Sequence, residues 1–167
     1  MGALTSQTAR LRTATEGLLE LTAAVAAREP WPLAELYGPE PEASWGPPEL
    51  LAHVEEFLPY WMGEIERVLA APADAPAAFG RIATDPLRIG VIGRDRSLPL
   101  RELVSRIRSE GARVAGRLDE LTEAEAARTG THPTRGELTV REMLEPFLVG
   151  HMEGHVVQLR EILAGAG

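Results

Sequence analysis

The 167-residue chain has no cysteine and no lysine. Without cysteine no disulfide can form, and any metal ion must be held by histidine, aspartate, glutamate or water. Without lysine a Schiff base on a lysine side chain is excluded. All 17 basic residues are arginine, which, with the abundant alanine, glycine and proline, reads as coding bias rather than as a functional signal. Positive charge is in deficit, because 25 acidic residues leave a formal charge of −8. That balance argues against a nucleic-acid partner, whose affinity rests mainly on neutralising phosphate. Long apolar runs are missing too, so no membrane span is expected. The stretch Met1 to Arg12 is polar and amphipathic and lacks the basic start and apolar centre of a secretory signal, so a cytoplasmic location is expected.

What is present suits a globular fold. Apolar residues make up 44% of the chain, enough for a full core in one domain spanning 1–167. Four segments carry apolar residues at helical spacing. The first runs from about Thr5 to Ala27, with Leu11, Leu18, Leu21 and Val25 on one face, and ends before Pro30 and Pro32. The second follows Trp45-Gly46-Pro47-Pro48, where proline suits a first helical turn. Its stripe is Leu50, His53/Val54, Phe57, Tyr60/Trp61, Ile65 and Val68/Leu69. The third spans about Leu98 to Leu121, with Ile107, Gly111, Val114 and Leu118 in register. The fourth starts at Thr139, with Glu142 completing a capping box, and ends at Gly165. Its stripe is Leu144, Leu148, His151, His155, Leu159 and Ile162. No strand pattern competes with these helices. The expected fold is therefore all-α, a four-helix bundle. A long connection, Ala71 to Ser97, permits a crossover that leaves helices two and three parallel. Its apolar residues, among them Phe79, Ile89 and Ile92, should pack on the bundle, and a short strand or helical turn could form there.

Only four histidines occur. His151 and His155 stand four apart and project from one helical face. That face is the buried one, since they interrupt the stripe between Leu148 and Leu159. Two imidazoles stacked in a core need partners, because each unpaired buried polar group costs roughly 1–3 kcal/mol. Hydrogen bonds could supply them, and so could a shared metal ion. His53, on or beside the stripe of helix two, offers a third ligand. Three histidines with an open position suit a reactive rather than a closed metal site. The segment His151-Met152-Glu153-Gly154-His155 differs from the H-E-x-x-H of zinc proteases, where glutamate follows the first histidine directly. Glu153 should point roughly 160–200° away from the two rings. Gly150 and Gly154 could leave room for close helix approach, and Pro59 and Pro146 could bend their helices near the site. Glu64 shares the approximate face of His53 and could support a ligand or move a proton. Glu55 and Glu56 read as solvated surface, and His132, beside Pro133, as a solvated loop residue.

These residues resemble the DinB-like (DinB/YfiT-like) superfamily. Trp45 followed by Glu49-Leu50-Leu51-Ala52-His53 is similar to that family's W-[ST]-x-x-E-x-x-x-H entry into helix two, with Gly46 in place of the usual Ser or Thr cap. His132-Pro133-x-x-Gly136-Glu137-x-Thr139-Val140-Arg141-Glu142 is similar to its lead-in to helix four. His151-x-x-x-His155-x-x-Gln158-Leu159 resembles its H-x-x-x-H-x-x-Q-[LI] ending. The resemblance implies an up-down-down-up bundle and one divalent metal ion, zinc or nickel foremost, on His53, His151 and His155. It also implies frequent homodimers. Relatives of that kind include thiol S-transferases, a mycothiol-dependent isomerase and metal-dependent hydrolases. A metal-dependent thiol S-transferase or hydrolase acting on a small molecule is therefore expected, with a low-molecular-weight thiol as a further cofactor in the first case. Arg81, Arg88, Arg94 and Arg96 could then receive an anionic thiol. The alternative is a non-catalytic metal-binding bundle that serves as a sensor or interaction module.

Overall fold

All four periodic stretches become bundle helices in the computed structural model, which describes residues 2–165. Helix α1 spans Thr5–Ala26 and buries Leu11, Leu18 and Val25 on one stripe. Helix α2 spans Pro47–Ala70 and runs unbroken through Pro59. It buries Leu51, Leu58 and Met62 as well as the expected stripe, so it is the most enclosed helix of the bundle. Each such side chain withdrawn from water contributes roughly 1.5–3 kcal/mol. The cap of α2 has a simple origin. Gly46 has no side chain, but the Glu49 carboxylate reaches back to accept from the Gly46 N–H at 3.1 Å and the Ala34 N–H at 3.0 Å.

The long connection contains helix α3, Pro86–Asp95, started by Asp85 accepting from the N–H groups of Leu87 and Arg88. Phe79, Ile89 and Ile92 of this connection join the core, as expected. Helix α4, Leu100–Glu120, follows, then a single turn α5, Glu123–Ala126. The next elements are a small addition to the all-α bundle that apolar periodicity does not reveal. Strands β1, Thr129–His132, and β2, Gly136–Thr139, form an antiparallel hairpin. Four-residue strands are too short for alternation to show in sequence. Gly136, at φ 74°, supplies the left-handed residue that the turn requires.

The fourth bundle helix is not one α-helix. Thr139 and Glu142 form the expected capping box, opening α6, Val140–Leu144. A π-helical turn, Glu145–Val149, comes next, and α7, Gly150–Gly165, completes it. Pro146 lacks an N–H, and the Gly150 N–H reaches back five residues to the Glu145 carbonyl. A Cβ on Gly150 would stand 2.7 Å from that carbonyl oxygen. Gly150 thus accommodates its own helix's wide turn rather than a neighbouring helix. Among the described residues nothing lies within 4 Å of where a Cβ on Gly154 would stand, so helix approach does not explain it either.

The topology is up-down-down-up. α1 packs on α4 and α7, and α2 packs on the same two helices from the other side. This arrangement brings His53 of α2 opposite the start of α7.

Candidate metal centre

The structure brings His53, His151 and His155 together. Nε2 of His151 lies 2.9 Å from Nε2 of His53 and 3.1 Å from Nε2 of His155. The three rings are nearly perpendicular, at 89°, 81° and 88° for the three pairs. Nitrogen ligands at about 2.0–2.1 Å from one ion stand about 2.8–3.0 Å apart in octahedral and about 3.3–3.4 Å apart in tetrahedral geometry. The observed separations agree with such a set.

Hydrogen bonds around the rings decide where the protons sit. The Gln158 amide donates to the carbonyl of Glu42 at 2.8 Å, which turns its oxygen toward Nδ1 of His155 at 3.0 Å. That Nδ1 therefore carries hydrogen, and Nε2 of His155 carries the lone pair. Arg88 approaches Nε2 of His53 at 3.4 Å. A guanidinium only donates, so this Nε2 also presents a lone pair. His151 has at most one Nε2–H to share between these two lone pairs, and Arg88 is the other donor beside them. A cation at the centre would satisfy all three.

Burial keeps these rings neutral. His53 and His155 are buried, and desolvation pushes both below the ordinary imidazole value, helped by Arg88. His151 is pushed down to about 3, again mainly by desolvation. Neutral rings are the form that ligates metal. Among the described residues Nδ1 of His53 has no hydrogen-bond partner, and neither has Oε2 of Glu56. The two atoms face each other at 3.7 Å, so a small shift closes a carboxylate–histidine bond of the kind that orients metal ligands.

Sequence reading missed three members of this arrangement. Glu42 sits on a 3-10 turn, Pro41–Ser44, with its Oε1 3.6 Å from Nε2 of His53. Ligand atoms of Glu42, His53, His151 and His155 all lie within 4.8 Å of one another. No periodicity marks Glu42 in its proline-rich segment. Glu56 is buried beside Arg81, not solvated, because the loop after α2 folds back over it. Its place three residues after His53 on one helix face was an available signal. Gln158, three residues after His155, was signalled in the same way.

Other expectations resolve differently. Glu64 is not brought to the cluster. Its carboxylate accepts from the Gly80 N–H at 2.5 Å and pairs with Arg67 at 3.0 Å, tying the long connection to α2. His132 is buried, not solvated. It closes β1, stacks on Phe147 at 5.0 Å, and its Nδ1 accepts from the Thr134 N–H at 3.3 Å. Glu55 is half-buried beside Arg106. Glu153 faces away as expected and pairs with Arg10. Of the four arginines, Arg81 and Arg88 reach the site, where Arg88 pairs with Glu42 and Arg81 with Glu56. Arg94 and Arg96 pair with Asp95 and Glu49 instead.

A family model described as the DinB superfamily matches residues 4–159. The chain belongs to the DinB superfamily. Among solved structures it is similar to YfiT from Bacillus subtilis, with 16% identity and a TM-score of 0.73 over 96% of this chain and 87% of that one. YfiT is described as a probable metal-dependent hydrolase with an unusual four-helix bundle topology. This member of the superfamily shares that fold. A search of curated proteins found no match. No helix among the described residues is long and apolar enough to cross a membrane.

Proposed function

We propose that the chain is a divalent-metal-dependent hydrolase of small molecules, with the ion held by His53, His151 and His155. The observation that carries this reading is the convergence of the Nε2 atoms of three neutral rings, at separations of 2.9 and 3.1 Å that suit ligands of one ion. Three imidazoles leave an ion its full positive charge, which lowers the pKa of a water or thiol beside it. Zinc and nickel both suit such a ligand set. The activity described for YfiT points the same way.

The chain's own groups have distinct tasks in this reading. Gln158 and Glu56 orient the rings of His155 and His53. Glu42 places a carboxylate where a nucleophile would lose its proton, and its ion pair with Arg88 fixes that carboxylate. A cavity of about 280 Å³ opens beside His53 and His151, enough for a small substrate.

Protein purified without nickel resin should carry one equivalent of divalent metal and should hydrolyse members of an ester and amide panel. A chelator should stop turnover and the metal should restore it. Turnover that appears only with an added thiol and an electrophile would move the reading to thiol transfer. A stoichiometric ion with no turnover in either panel would leave a metal-stabilised sensor or interaction module. Absence of any ion would overturn the metal reading itself.

A further inference from the structure

The cavity beside the histidine cluster has a charge that the rest of the molecule does not predict. The chain as a whole carries −8, yet Arg81, Arg88 and Arg135 all line this opening. Two of the three are neutralised, Arg81 by Glu56 and Arg88 by Glu42. Arg135 is different. It projects from the hairpin turn between β1 and β2, is exposed, and has no carboxylate partner among the described residues. Its guanidinium lies 5.5 Å from the centre of the Phe147 ring, which sets the charge against the cavity's apolar wall. One uncompensated positive charge therefore remains at the cavity, before any ion is counted.

Half of the remaining lining residues are apolar. Trp61 and Phe147 stack at 4.1 Å, and Ile82 and Pro146 extend the same surface. The volume of about 280 Å³ lies at the small end for ligand sites.

We propose that the substrate is a small organic carboxylate with an apolar body, its carboxylate received by Arg135 and its body laid against Trp61, Ile82 and Phe147. A guanidinium fork matches a carboxylate in geometry as well as in charge. The histidine cluster then faces the opposite, reacting end. The proposal rests on the hydrolase reading only for that last placement, since the anion contact itself needs no ion.

Calorimetric titration of the full chain at neutral pH with benzoate, benzamide and benzylamine tests it. Benzoate should bind about tenfold more tightly than benzamide, the worth of one charge-assisted contact, and benzylamine should bind least. Arg135→Gln should erase the preference for benzoate while leaving metal content and thermal stability at wild-type levels, and Arg135→Lys should restore part of it. The preference should persist after chelator treatment, which separates this contact from a carboxylate bound directly to an ion. Equal binding of benzoate and benzamide would overturn the proposal. So would a benzoate preference that survives Arg135→Gln, or one that disappears with the metal. If the protein carries no ion at all, Arg135-dependent binding remains measurable, so failure of the metal reading and failure of this one are distinguishable.

Discussion

Four histidines occupy two settings that share desolvation and differ in how each ring meets its neighbours. His53, His151 and His155 meet edge to edge with their Nε2 atoms turned toward one point. His132 lies flat, with its ring on Phe147 and its Nδ1 on the Thr134 N–H. Its Nε2 has no partner among the described residues and sits against Gly80, where a Cβ would stand 2.8 Å away. Gly80 has φ 84°, so that position both turns the chain and clears the ring. Desolvation lowers the pKa of all four rings. Burial and a perturbed pKa therefore do not distinguish a ligand from a packing residue here. Convergence of lone pairs does.

The largest expected difference between the settings is in metal content. Replacing His151 or His155 with alanine should abolish stoichiometric binding, measured by elemental analysis of desalted protein. Replacing His132 with phenylalanine, which keeps a ring on Phe147, should leave one equivalent in place. Loss of metal in the His132 variant with the fold intact would erase the distinction.

Metal removal should follow with a large effect on stability. An ion present at about a thousandfold over its dissociation constant adds about 4 kcal/mol, or roughly 8–16 °C in Tm for a domain of this size. Chelation should lower the melting temperature by that order in the wild type and in the His132 variant alike. It should change nothing in the His151 and His155 variants.

Acid should act on both settings, with the same sign. Each histidine has a folded pKa below its unfolded value of 6.5. The unfolded chain therefore binds more protons, and stability is full above pH 6.5 and falls as pH drops below it. For His151 the loss continues down to about pH 3. Each such ring costs about 1.4 kcal/mol per pH unit within its window. Denaturant unfolding of metal-free protein between pH 7 and 5 should show a steep decline, made shallower by His132→Phe. A stability that is flat across that range would show that these rings are not buried neutral.

The sequence made one setting legible and hid the other for physical reasons. His151 and His155 interrupt an apolar stripe at a four-residue spacing, and helical geometry alone places them together. His53 lies on the stripe of α2, and bundle packing brings it across. His132 carries no comparable signal, because β1 has only four residues and its hydrogen-bond partners lie on a neighbouring strand and a bridge to Ala78. Glu42 is hidden by its setting in a 3-10 turn whose position depends on Gln158 and Arg88. Glu56 is buried only because Arg81 returns from the long connection to meet it. The bundle was readable from periodicity, whereas groups placed by loops depend on tertiary contacts that leave no period.

The smallest effects should come from the groups that hold each set of rings. Gln158 fixes the proton of His155 on Nδ1, so Gln158→Leu frees that ring to rotate or change tautomer. Glu56→Gln replaces the carboxylate facing His53 with a neutral amide. Each should weaken metal binding about 10- to 100-fold, read by competition with a chromogenic chelator, while the fold survives. Thr134 is the matching group on the other side. Its contact with His132 comes from its backbone N–H as well as from its exposed hydroxyl, so Thr134→Ala retains one donor. That variant should lose well under about 1 kcal/mol, the worth of one ordinary hydrogen bond, and none of its metal affinity. Should Thr134→Ala weaken metal binding as much as Gln158→Leu, the two settings would be coupled, and His132, which lines the same cavity, would act with the other three rings.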